Sequence, residues 1–132
     1  MTADDGHPLP LLNQGALDRL REEVDDDEEV WQVFVRNFID QLPVRTEKLR
    51  AALTTGDKNG TLDALLSLKT ASQMVGAERL SDLALDLERS VRIDTRHADP
   101  GNVLPRLAAT NLKPIIKCSQ QTADLLHKYL HR

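Results

Sequence analysis

The sequence predicts an all-α protein, an antiparallel four-helix bundle with a short additional N-terminal helix. Apolar residues recur at three- and four-residue spacing through most of the 132 residues, and no stretch alternates as a half-buried strand would. Short breakers rich in Gly, Pro, Asp and Asn divide the periodic stretches, and short connections between long amphipathic helices favour antiparallel neighbours. Aromatics are only 3% of the chain, so Leu, Val, Ile and Ala must fill the core.

Residues 1–11 read as a flexible N-terminal tail, interrupted by Gly6, Pro8 and Pro10. Residues 12–132 read as one bundle domain, a size that buries enough surface to need no staples. Asn13 suits the N-cap of a first helix reaching about Val24, with Leu17, Leu20 and Val24 as its stripe. A second helix starts in the acidic run Asp25–Glu29, where carboxylates cap free N–H groups and face the positive end of the helix dipole. It runs through Trp31, Phe34, Phe38, Leu42, Leu49 and Leu53, bends at Pro43 and ends at Thr54-Thr55-Gly56. Asp57 or Asn59 caps a third helix that reaches about Val75, before a break at Gly76. The fourth covers Glu78 to about Ile93, with Leu80, Leu83, Leu87 and Val91 on one side. A loop over 94–102 precedes a last helix from about Val103 to Tyr129. Its stripe is Leu104, Leu107, Leu112, Ile115, Thr122, Leu126 and Tyr129, with a bend at Pro114.

A formal net charge of −4 argues against nucleic acid or an anionic membrane as partner, since both need a basic patch. Cys118 is the only cysteine, so an intrachain disulfide and a cysteine zinc cluster are both excluded, and a cytoplasmic setting is expected. No run approaches the roughly 20 apolar residues of a membrane span. No cofactor motif stands out.

The third helix is the informative one. At about 100° per residue, Ala64, Leu65, Leu68, Ala71, Ser72 and Val75 share a core-facing side. Leu66 falls about 170° from the centre of that side, among Leu62, Lys69, Thr70 and Gln73. An apolar side chain is thus placed in solvent beside a lysine. A lone exposed leucine is ordinary on a protein surface.

The run Leu65-Leu66-Ser67-Leu68-Lys69-Thr70-Ala71-Ser72-Gln73-Met74-Val75-Gly76-Ala77 resembles the signature of histidine-containing phosphotransfer (HPt) domains, approximately His-x-Leu-Lys-Gly-Ser-Ser-x-x-x-Gly-Ala. Leu68, Lys69, Ser72, Gly76 and Ala77 match it. Phe34, Phe38, Pro43, Leu49, Ala52, Leu53 and Gly56-Asp57 resemble the family's second helix and turn, and Leu80 and Leu87-Glu88 its fourth. The resemblance places Leu66 where the family carries its phosphoaccepting histidine, and leucine has no nucleophilic nitrogen. Thr70 replaces the following small glycine, and Lys69 keeps the position that flanks the phosphoryl group in true members. The resemblance implies a pseudo-HPt module in two-component signalling that docks a receiver domain or a histidine kinase, with no catalytic residue. Leu62, Leu66, Lys69, Thr70 and Gln73 are its expected partner-binding patch, and a monomer or weak dimer its expected state.

Two other functions compete. One is active phosphotransfer through another residue, with His97 in the loop Arg96-His97-Ala98-Asp99 as its candidate. The other is a structural bundle that dimerises through its last helix. His127 and His131 have chelating spacing but no third ligand, so no metal site is expected. The run Asp25–Glu29 lacks the spacing and glycine of a calcium loop. Lys113 and Lys117 lack the interleaved aromatics of a nucleic-acid surface.

Overall fold

The structure, a computed structural model, describes residues 8–131. It contains five helices: α1 (Gln14–Glu23), α2 (Glu28–Thr54), α3 (Lys58–Met74), α4 (Glu78–Asp94) and α5 (Pro100–Leu130). α2 packs on α3, α3 on α4, α4 on α5, and α5 back on α2, closing a four-helix ring. α1 lies across one end, against α2 and α3. No strand occurs among the described residues.

The caps explain where the helices begin. Asn13, Asp27, Asp57 and Asp99 each sit in extended backbone with the side chain accepting first-turn N–H groups. Between α1 and α2, Asp25 and Asp26 take φ of 56° and 57°, a left-handed pair that short polar side chains tolerate. The acidic run is therefore half turn and half cap, with only Glu28 and Glu29 inside the first turn of α2. α5 starts three residues before the expected Val103. Asp99 accepts from Gly101 N at 3.0 Å, and a proline at the first helical position loses no hydrogen bond. Pro43, Pro105 and Pro114 all lie inside continuous helices.

Two glycines hold the connections. Gly56 (φ +73°) would bring a Cβ to 2.7 Å from Gly101 Cα, and Gly76 (φ +74°) to 2.7 Å from the Asn13 carbonyl oxygen. Both conditions, the positive φ and the backbone contact, exclude a side chain. Asn13 N donates to Gly76 O at 2.7 Å, and its side-chain amide donates to Glu78, which fastens the start of α1 to the α3–α4 turn. The segment before α1 is fastened too. Leu9 O accepts from Arg79 Nε at 2.9 Å, Pro10 O accepts from Arg79 N, and Leu11 and Leu12 pack on the core. Ordered packing thus reaches into the stretch expected as a tail, whose residues 1–7 lie outside the described residues.

The core follows the predicted stripes. Leu17, Trp31, Leu49, Leu53, Leu65, Leu68, Leu80, Leu87, Leu104, Ile115 and Leu126 are all buried. Phe34 is only half-buried, and Val35 takes the fully buried position beside it. Trp31 meets Tyr129 edge-on at 5.3 Å, with the Arg21 guanidinium 4.1 Å above the indole, an arrangement that ties α1, α2 and α5 together.

A candidate docking face on the third helix

α3 is amphipathic as its spacing dictates. Leu65, Leu68, Ser72 and Val75 are buried, Ala64 and Ala71 are half-buried where neighbouring helices approach, and Thr61 is buried with its hydroxyl donating to Asp57 O at 2.7 Å. Leu66 points the other way and is 53% exposed between two leucines that are 0% exposed. Thr70 and Gln73 are exposed beside it. Leu62 belongs to the same face by spacing, but it is half-buried and packs against the core, so it offers only an edge.

Lys69 is less free than its place beside Leu66 suggests. Its Nζ donates to Glu88 Oε1 on α4 at 3.2 Å, and the two side chains keep only 21% and 16% of their exposure. Arg92 Nη2 shares the same carboxylate at 3.1 Å, from one turn further along α4. Burial pushes the Glu88 carboxyl upward, but hydrogen bonds from Lys69 and Arg92 outweigh it and hold the group below its ordinary value. Lys69 is thus a bridge between α3 and α4 on the flank of the face.

Three features of the face escaped sequence reasoning. Met74 is 49% exposed one turn beyond Thr70, a position the helical spacing already placed outside the core side. Ser67 accepts a short hydrogen bond from Arg45 Nη1 on α2. That partnership spans 22 residues and depends on how α2 and α3 pair, for which no local signal exists. The placement of Glu88 against Lys69 likewise comes from the pairing of α3 with α4.

The remaining candidates lie elsewhere. His97 is exposed in the α4–α5 connection, at the end of the bundle where Gly101 meets Gly56. Leu66 sits about 12 Å along α3 from that end. The rings of His127 and His131 stack 6.2 Å apart at the end of α5. Among the described residues no group of three or more His, Cys, Asp or Glu side chains is placed to hold a metal ion. No described helix is long and apolar enough to cross a membrane.

A closed ring of four antiparallel helices, crossed at one end by a short fifth, presents on α3 a polar-rimmed apolar residue and no histidine. Fold and face together define a four-helix-bundle module with an exposed apolar position on α3. The sequence pattern described as "Hpt domain" matches residues 33–129, and the chain belongs to that family. Its fold is similar to that of histidine-containing phosphotransfer protein B (HptB) from Pseudomonas aeruginosa PAO1, with a TM-score of 0.74 and 24% identity over 93% of this chain and 96% of that one. It is also similar to the HPT domain of the Hpt sensor hybrid histidine kinase from Shewanella, with a TM-score of 0.60 and 20% identity over 89% and 95%. No curated protein matches the sequence. Hpt domains are phosphotransfer carriers rather than catalysts and interact with receiver domains and histidine kinases, so this chain is a module of phosphorelay signalling.

Proposed function

We propose that the chain is a docking module of a phosphorelay that binds a receiver domain through the exposed face of α3 and carries no phosphoryl group there. The observation that carries this reading is Leu66: a 53% exposed leucine at mid-helix, where the HPt signature places its histidine. A phosphoryl acceptor at that point needs an imidazole nitrogen, and a leucine side chain has none. What leucine supplies is apolar area. An apolar side chain ringed by Thr70, Gln73 and Ser67 has the layout of an interface centre with a polar rim. Lys69 belongs to the flank, where its ion pair with Glu88 fixes the spacing of α3 and α4. Such a module holds a receiver without discharging it, which suits sequestration or scaffolding.

The test is binding of the purified chain to the receiver domains of its own cell, beside a Leu66→Asp variant. Selective binding that the substitution abolishes is the expected result. Binding that the substitution leaves intact removes the docking face from α3. Acid-labile phosphate on the unmodified chain after exposure to a phosphorylated receiver contradicts the non-carrier reading.

A further inference from the structure

A second cation, Arg45 on α2, reaches the docking face beside Lys69. Its Nη1 donates to the hydroxyl of Ser67, the residue next to Leu66, so the guanidinium is held against the docking face from α2. Its Nε is shut off from solvent and has no hydrogen-bond partner. Three neighbouring cations already have carboxylates: Lys69 and Arg92 share Glu88, and Arg50 is paired with Glu47 at 2.6 Å. Among the described residues Arg45 makes no ion pair, although Asp63 lies one turn before Ser67 on α3. A guanidinium offers five donors in a planar fork that fits a carboxylate with two parallel bonds, and Ser67 satisfies only one of them. The rim of Leu66 therefore carries an uncompensated positive charge on a chain whose net charge is −4.

We propose that Arg45 is a specificity-determining residue of this face, selecting a receiver that sets a carboxylate beside the apolar surface that covers Leu66. The inference rests on the docking reading and names the chemistry of the partner within it. Ser67 is the positioning residue: it fixes the fork before the partner arrives, so little side-chain freedom remains to be lost on binding. A rim charge of this kind acts mainly on the encounter rate and on its response to salt.

The experiment measures association rate and affinity for each purified receiver domain at about 50 mM and about 300 mM NaCl, across which surface charges become strongly screened. The unmodified chain should bind a receiver less well at the higher salt. Arg45→Gln should slow association about ten-fold at low salt and flatten the salt response. Arg45→Lys should keep the salt response while weakening affinity, and it guards against a folding defect in the neutral variant. Ser67→Ala should give a smaller loss than Arg45→Gln. Arg45→Glu should be rescued by a carboxylate-to-lysine change on the receiver. Leu66→Ala should lower affinity with the salt response intact. A receiver that binds Arg45→Gln with unchanged rate and salt response overturns the role of Arg45 and leaves the docking face standing. Failure of every receiver to bind the unmodified chain overturns both.

Discussion

Truncating Leu66 to Ala, beside the same change at Leu65, separates a docking residue from a core residue one position away. Leu65 is 0% exposed and Leu66 53% exposed, so the two substitutions remove the same atoms from opposite environments. Loss of the buried Leu65 side chain should cost about 2–5 kcal/mol of stability through lost transfer energy and the cavity left behind. For a domain of this size that lowers Tm by roughly 10 °C or more. Leu66→Ala should change stability by no more than about 0.5 kcal/mol, because it sits on the surface and Ala favours the helix at least as well. Its cost should appear in binding. The change removes three carbons worth about 0.8 kcal/mol each when fully buried. Only the 53% still exposed remains to be buried by a partner, leaving roughly 1.3 kcal/mol, or about a ten-fold weaker Kd. Thermal melts and receiver titrations on both variants are the assay. A Leu66→Ala protein that melts many degrees lower would show that residue to be packed, and the docking face would be lost with it. A stable Leu66→Ala protein with unchanged affinity would move the face off α3.

Leu66→His should make the chain label with acid-labile phosphate from a phosphorylated receiver, at a rate limited by Thr70 beside it; a stable, receiver-binding variant that never labels would mean that the face lacks more than an imidazole. Gly76→Ala should destabilise the fold by about 2 kcal/mol or more in denaturant titration, since φ is +74° and the new Cβ would meet the Asn13 carbonyl at 2.7 Å. Glu88 has its folded pKa lowered, so its contribution is present above the ordinary value of 4.5 and is lost as pH falls from there through the folded value. Glu88→Gln should flatten that acid-side loss of stability, and an unchanged pH profile in the variant would assign the loss to other carboxylates. Burial raises the Cys118 thiol pKa, so alkylation at neutral pH should be slow in the folded chain and fast in denaturant.

The helices were legible because their signals are local. Asn13 and Asp57 cap from within a turn of the N–H groups that they serve, and the three- and four-residue spacing of Leu65, Leu68, Ser72 and Val75 depends on one helix alone. The exposure of Leu66 followed from the same geometry. The early start of α5 was missed because a Pro-Gly pair reads as a loop, and only the Asp99 cap turns the proline into a first helical residue. Arg45 and Lys69 were beyond sequence reasoning for a different reason. Their surroundings are set by partners 22 and 19 residues away, through helix pairings that no local pattern encodes. The half-burial of Leu62 is of the same kind, decided by how closely a neighbouring helix approaches.

The signature that links this chain to HPt domains is largely a description of how the bundle packs. Leu68 is buried in the core, and Ser72 is wholly buried where α3 meets its neighbours. Gly76 takes a backbone angle and a contact that a side chain would forbid, and Ala77 is 0% exposed at the start of α4. Lys69 ties α3 to α4 through Glu88. Each of these five matches has a mechanical task that stays in place whether or not phosphate is carried. The position of Leu66 has no such task, its side chain being 53% exposed. These five matches therefore serve the fold, and they leave the exposed positions Leu66 and Thr70 free to vary without loss of the bundle. Those positions, rather than the matches around them, are where function should be sought.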